Sequence, residues 1–270
     1  MSIPKIIHYC WFGGKPLDDM AKKCIESWKR YCPDYEIKEW NESNFDVNSN
    51  IYVKEAYDAK KWAFVSDYAR LKVLYDEGGV YFDTDVELIK PIDNLIEEYG
   101  YMGFDDNGTI ATGLGFACEE ANELVGNLLA DYDGISFILP DGSYDLTPCP
   151  DRNTETLKKL GMDLNNKNQI FMGIHMLPED YLCPVKYHTG KKIITKNTYS
   201  IHHFNASWHS AFENKLKKKH IYFINKYGEA DGTSRYVKWL RRNKIIFYIR
   251  KNGFKKAVER AKMKILNIAR

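Results

Sequence analysis

The spacing of apolar positions changes period several times along the chain, and each change marks an element. Lys5-Ile6-Ile7-His8-Tyr9-Cys10-Trp11-Phe12 is apolar and β-prone and stops at Gly13-Gly14, which predicts a buried first strand running into a loop. A helix is expected over Asp18 to Tyr31, ended by Cys32-Pro33-Asp34 before a second short strand at Tyr35 to Trp40. Strand, helix, strand points to a parallel sheet. Lys54 to Glu77 holds good helix formers, no Gly or Pro, and Gly78-Gly79 at its end, so one long helix is expected there. On it Asp67, Arg70, Leu71 and Leu74 fall at i, i+3, i+4 and i+7, which places an acid and a base together at the edge of the core. By spacing alone this is also the pattern of an ordinary intrahelical ion pair.

Directly after the glycines, Val80-Tyr81-Phe82-Asp83-Thr84-Asp85-Val86-Glu87-Leu88 alternates as a strand does. Val80, Phe82, Thr84, Val86 and Leu88 are assigned to one face, and Tyr81, Asp83 and Asp85 to the other. Two carboxylates on one strand face repel each other and are costly to bury unless a cation or hydrogen-bond donors neutralise them. A divalent metal with oxygen ligands meets that need. Further along, glycines and aspartates crowd Gly100 to Gly115, and prolines mark a loop-rich stretch from Leu139 to Asn153, both read as loops bordering a site. The glycine-rich segment Ile110 to Ala117 suits backbone passing close to a ligand, or a turn and a strand. From Arg235 onward, aromatic and aliphatic residues interleave with cations at helical spacing.

Composition narrows the class. With 270 residues, 44% hydrophobic and 28% charged, the chain can bury the core of one large α/β domain with an appendage, and disorder, collagen and coiled coil are excluded. The six cysteines show neither C-x-x-C nor regular spacing, so a reducing, cytoplasmic setting is expected. The start Met-Ser-Ile-Pro-Lys shows no leader pattern, and no apolar run approaches the ~20 residues of a spanning helix. Net charge is only +2, yet residues 211–270 hold 18 basic and 4 acidic residues, a net of +14, against −12 for residues 1–210. The division is expected at the same point, with one α/β domain over 1–210 and a basic, largely helical extension over 211–270. An acidic body with a basic tail suits a polyanionic surface, and the amphipathic spacing favours an anionic membrane over nucleic acid.

The run Phe64-Val65-Ser66-Asp67-Tyr68-Ala69-Arg70-Leu71, Leu74-Tyr75 and Gly78-Gly79-Val80-Tyr81-Phe82-Asp83-Thr84-Asp85 closely resembles the sugar-nucleotide signature of glycosyltransferase family 32. These are capsular polysaccharide or Och-type sugar transferases, and the large clostridial glucosylating toxins share the motif. The opening Ile7-His8-Tyr9-Cys10-Trp11-Phe12-Gly13-Gly14 and the late His202-His203-Phe204-Asn205-Ala206-Ser207-Trp208 are similar to two further motifs of that family, in the same order.

The resemblance implies a GT-A-type α/β fold, a Rossmann-like nucleotide-sugar-binding domain with a mostly parallel central sheet. It implies Mn²⁺ or Mg²⁺ held by Asp85 with Asp83 assisting, Asp83 also reaching ribose or sugar hydroxyls, and Asp67 and Arg70 on the donor sugar. Trp11 would stack on the nucleobase with Tyr81 beside it. Ser207 and Trp208 would close over the diphosphate, and a further metal ligand would come from His203, Asn205 or Ser207. The implied reaction moves a hexose or N-acetylhexosamine from a nucleoside-diphosphate sugar, a UDP-sugar foremost, to a glycan or lipid-linked glycan acceptor, with retention, in capsular or surface polysaccharide synthesis. Peripheral attachment to the inner face of the membrane through residues 235–270 is expected, and no nucleic-acid partner. Two other classes compete. A haloacid-dehalogenase-type phosphatase also uses D-x-D, but wants Thr or Val where Glu87 stands. A non-enzymatic binder would rely on the basic tail alone.

Overall fold

The computed structural model describes residues 2–187, 189–205 and 211–243. Strand β1 (Ile6–Cys10) leads through a glycine turn to helix α1 (Asp19–Tyr31), whose N-terminus is capped by the Asp18 carboxylate accepting from the Ala21 amide. Helix α1 buries Ala21, Cys24, Ile25 and Trp28, one face at the i, i+3, i+4, i+7 spacing. Strand β2 (Glu36–Trp40) follows, then α2 (Ile51–Asp58) and α3 (Trp62–Glu77).

The single long helix expected over 54–77 is thus two. The chain breaks at Lys60, which adopts φ 57°, a left-handed conformation that no helix continues through. Trp62 then packs edge-on to Tyr57, with ring centroids 5.1 Å apart. Neither feature leaves a Gly or Pro in the sequence to announce it.

Gly78 ends α3 with φ 65°, its amide donating to the Leu74 carbonyl, and β3 (Gly79–Tyr81) starts at once. The expected nine-residue strand through Leu88 stops here. Phe82 still donates to His8, but the Val86 amide donates back to the Asp83 carbonyl, so residues 83–86 form a turn and β4 (Val86–Leu88) belongs to a second, small sheet. Alternation along one strand therefore does not set where Asp83 and Asp85 point; the turn does.

Next come α4 (Asp93–Ile96), β5 (Gly100–Gly103), a 3-10 turn at Thr112–Leu114, β6 (Phe116–Cys118), α5 (Glu123–Ala130) and α6 (Cys149–Lys159). Strands β7 (Gln169–Phe171) and β8 (Ile174–Leu177), helix α7 (Glu179–Leu182) and β9 (Ser200–His202) complete this part. The main sheet has the order β2-β1-β3-β6-β5-β8-β7. β1 runs parallel to β2 and β3, and β5 parallel to β8, while β6 and β7 are reversed against their neighbours, so five of the seven strands share a direction. This is the mixed α/β, mostly parallel sheet expected of a GT-A-type fold.

Each face of the sheet carries its own core. Tyr81, Met102, Phe116, Cys118 and Met176 pack with residues of α2, α3 and α5 on one side. Ile7, Tyr9, Val80, Tyr101 and Ala117 pack with α1 and β4 on the other. A sheet covered on both faces reads as continuous apolar strands.

The described residues fall into two compact units, those within Met1–Tyr187 and Lys191–Trp208, and those within His188–Gly190 and His209–Arg270. The second unit is built from α8 (Ala211–Tyr227) and α9 (Glu229–Arg242), with the His220 ring stacked on Tyr236 at 4.4 Å. No helix among the described residues is long and apolar enough to cross a membrane.

Candidate active site

The site lies where β3 ends. Asp67 and Arg70, one turn apart on α3, form an ion pair of 3.0 Å, and the same Arg70 Nη2 lies 3.1 Å from Asp83 Oδ1. Arg70 Nε donates to the Ser66 carbonyl, and the guanidinium sits over the Tyr81 ring at 5.2 Å. Tyr81 in turn donates its hydroxyl to Asp83 Oδ1 at 2.9 Å. Arg70 is thus a buried cation between two carboxylates, with its orientation fixed by a carbonyl and an aromatic face. An ordinary solvated helix pair would have neither the burial nor the second carboxylate.

Burial raises Asp67 to about 6, against the opposing pull of Arg70. Burial also raises Asp83, again opposed by Arg70 and reinforced by the Asp85 charge. Asp85 goes the other way. Burial would lift it, but the His202 charge, a hydrogen bond from His202 and the Asn205 amide together hold it at about 2. His202 Nε2 lies 3.0 Å from Asp85 Oδ1, and the Asn205 N–H donates to Asp85 Oδ2 at 2.8 Å. Burial disfavours the charged form of His202, yet the Asp85 carboxylate outweighs it and raises the imidazole above its ordinary value.

Asp83, Asp85 and His202 each offer a ligand atom within 4.8 Å of the others. Two carboxylate oxygens and an imidazole nitrogen are a donor set that suits a divalent cation such as Mn²⁺. The Asp83–Asp85 repulsion is what a cation would relieve. The buried Nδ1 of His202 has no hydrogen-bond partner among the described residues.

His203, expected at the cation, is placed elsewhere. Its Nε2 lies 2.7 Å from Glu87, which also pairs with Lys23. Strands β4 and β9 pair antiparallel with Val86 opposite His202, so His202 is the histidine delivered beside Asp85. That register was invisible in a His202-His203 doublet. Asn205 reaches Asp85 through its backbone amide, while its side chain donates to Asp18, the α1 cap, at 3.3 Å. Ser207 and Trp208 lie outside the described residues.

Trp11 is half-buried against the α1-side core, its indole N–H donating to the Lys15 carbonyl at 2.6 Å. Tyr81 is fully buried, so its role runs through Asp83 and Arg70 and not through a surface available for stacking.

The glycine-rich segment Ile110 to Ala117 is expected to bring backbone close to a ligand, or to form a turn and a strand. The structure gives Gly113 a specific place. The Asp83 amide donates to its carbonyl at 3.4 Å, and a Cβ added there would lie 2.4 Å from Asp83 Oδ2 and 3.1 Å from Arg70 Nη1. Only glycine lets this backbone lie against the carboxylate.

Residues 18–102 match the family described as "Glycosyltransferase sugar-binding region containing DXD motif". That stretch runs from the α1 cap into β5 and holds Asp67, Arg70, Asp83 and Asp85. Over these residues the chain carries a glycosyltransferase sugar-binding region, the mark of an enzyme of that class. Among solved structures it is similar to the PaToxG glycosyltransferase, at 19% identity over 59% of this chain and 70% of that one, TM-score 0.43. It is similar also to a glycosyltransferase involved in glycosylation of the major capsid of PBCV-1, at 16% identity over 80% and 99%, TM-score 0.43. A third is the galactosyltransferase LgtC in complex with donor and acceptor sugar analogues, at 12% identity over 86% and 95%, TM-score 0.38. All three are distant similarities. No curated protein matches the chain.

Proposed function

We propose that the protein transfers a hexose or N-acetylhexosamine from a nucleoside-diphosphate sugar, a UDP-sugar foremost, to a glycan acceptor, as a retaining enzyme resembling glycosyltransferase family 32. The observation that carries this reading is the convergence of Asp83, Asp85 and His202 beside the Asp67–Arg70–Asp83 network, within the stretch that matches the DXD family. Asp83, Asp85 and His202 would hold a divalent cation, which when bound supplies charge to orient the donor diphosphate and to stabilise the departing nucleoside diphosphate. Asp67, kept ionised by Arg70, accepts from hydroxyls of the donor sugar, and Arg70 donates to its oxygens. Tyr81 and Gly113 fix the Asp83 carboxylate from two sides.

A thermal-shift panel of nucleoside-diphosphate sugars, with and without Mn²⁺, tests the reading, because a ligand that binds only the native state raises its stability. The expected result is a Mn²⁺-dependent shift for one donor family. A folded protein unmoved by every donor in the presence of Mn²⁺ contradicts it.

We extend the proposal to capsular or surface polysaccharide synthesis on lipid-linked acceptors, with peripheral attachment through residues 235–270 at the inner face of the membrane. The net of +14 over residues 211–270 supports it. So do cations held against aromatic rings on α8 and α9, with Lys219 Nζ 4.7 Å from the Tyr222 centroid and Arg235 4.3 Å from that of Tyr227. Residues 244–270 lie outside the described part. Flotation with anionic vesicles is the check: a chain truncated before residue 235 should stay at the bottom, and equal flotation would refute attachment by this segment.

A further inference from the structure

The first turns of α6 carry polar groups that the site just described does not use. Arg152 pairs with Asp145 through Nη2 at 2.7 Å, and both side chains are mostly buried. Its guanidinium lies over two aromatic rings, Tyr132 at 5.2 Å and Tyr52 at 5.7 Å. The Arg152 Nε is sealed from water and has no hydrogen-bond partner among the described residues, and the same is true of Oδ1 of the fully buried Asn153. Buried polar atoms left unpaired are costly, so two on consecutive residues at the start of α6 each call for a partner.

These atoms stand at the edge of the sugar-binding network. Asn153 Nδ2 donates to Thr112 Oγ1 at 3.2 Å and lies 3.3 Å from Cys149 Sγ, which is itself 3.3 Å from Thr112 Oγ1. Thr112 directly precedes Gly113, the residue whose backbone lies against Asp83 and Arg70. From the helix side, Tyr132 under the Arg152 guanidinium packs edge-on to Tyr68, the neighbour of Asp67, at 5.5 Å. The Arg152 charge is felt at Asp67, where it opposes the effect of burial. A short chain of contacts thus runs from Arg152 to Tyr68 beside Asp67, and a second from its neighbour Asn153 to Thr112 beside Gly113. A guanidinium with one carboxylate partner and a planar set of five N–H donors keeps donors in reserve for sugar oxygens.

We propose that Arg152 is a further donor-sugar-contacting residue of this enzyme, its guanidinium facing the transferred sugar from α6 while Asp67 and Arg70 face it from α3. The inference rests on reading the site as a donor site for a nucleoside-diphosphate sugar. Contact with the sugar and not with the nucleotide makes Arg152 a specificity-determining residue. A purely structural Arg152 would instead clamp Asp145 and nothing more.

The test is calorimetric, with the full chain in Mn²⁺. UDP and the nucleoside-diphosphate sugar that gives the largest thermal shift are titrated into wild type, Arg152→Lys, Arg152→Gln and Asp145→Asn. Lysine can still reach Asp145 but lacks the planar fork, so R152K keeps the ion pair that R152Q removes. The expected result is at least a tenfold loss of sugar-nucleotide affinity in R152K with UDP affinity within twofold of wild type, and a smaller loss in D145N, where the guanidinium remains. The inference is overturned if R152K binds the sugar nucleotide as wild type does, if it loses UDP and sugar nucleotide equally, or if D145N loses as much as R152K. A wild-type chain that binds UDP but no sugar nucleotide overturns the donor-sugar reading itself, and this inference with it.

Discussion

Arg70 is the residue on which the electrostatics of the site turn. It is buried, and it is the shared partner of Asp67 and Asp83. Removing it leaves two carboxylates without their cation, a change that costs about 3–5 kcal/mol when one partner of a buried pair is lost. Arg70→Ala is therefore expected to lower stability by that order in urea unfolding and to abolish sugar transfer. Arg70→Lys should recover part of the stability but not the transfer, because a single ammonium cannot serve both carboxylates and the sugar. Full activity in R70K would contradict the assigned role. Gly113 is a quieter position. A methyl group there would meet Asp83 Oδ2, so Gly113→Ala should reduce sugar transfer at least tenfold by displacing that carboxylate, with little change in the far-UV spectrum.

A third residue, His8, belongs to the opening motif but not to the site. It is fully buried, with Nε2 3.0 Å from the Gly78 carbonyl and Nδ1 accepting from the Trp40 indole at 3.0 Å, an arrangement that only neutral imidazole satisfies. Burial lowers it to about 4, the Glu77 charge opposing. The unfolded chain, with an ordinary value near 6.5, binds this proton more readily than the native one, so stability rises with pH through this window. The contribution is fully present above pH ~6.5 and is lost as pH falls toward ~4, about 3 kcal/mol in all. Urea unfolding at pH 7 and 4.5 should show a loss in wild type that is smaller in His8→Gln. Equal losses would remove His8 as the cause.

At the scale of elements, the junction of α3 and β3 places Asp67 and Arg70 next to Asp83. Gly78 makes it possible, with φ 65° and ψ −164° and a position where a Cβ would lie 2.8 Å from the Glu120 backbone nitrogen. Gly78→Ala is expected to cost about 1–3 kcal/mol for the backbone conformation alone, and more for the collision with backbone. A change in melting temperature below 2 °C would argue against a strained junction.

The same elements show what could be read in advance. The α1 helix was legible because its apolar face, its Asp18 cap and the Cys32-Pro33 stop all agree. The break between α2 and α3 was not, because Lys60 takes a left-handed conformation that no glycine announces. Residues 80–88 alternate like a strand, yet the chain leaves the main sheet after Phe82 because β9, more than a hundred residues later, offers β4 another partner. Long-range pairing of that kind has no local signal. It also decides between His202 and His203, which local sequence cannot separate. Asp67, Arg70, Asp83 and Asp85, by contrast, were legible as a set through motif resemblance, and the structure brings them together.

At the scale of the molecule, the sheet separates two cores, and the carboxylates collect where β3 ends, the end of a parallel strand at which α/β folds bind ligands. Charge divides along the chain differently, acidic over residues 1–210 and basic beyond. The most direct test of that account is Mn²⁺ electron paramagnetic resonance in the presence of UDP, comparing wild type with Asp85→Asn, His202→Ala and His203→Ala. The account predicts that wild type and H203A bind Mn²⁺ with UDP alike, while D85N and H202A weaken it at least tenfold. Binding that survives in both D85N and H202A, or that is lost in H203A alone, would contradict it.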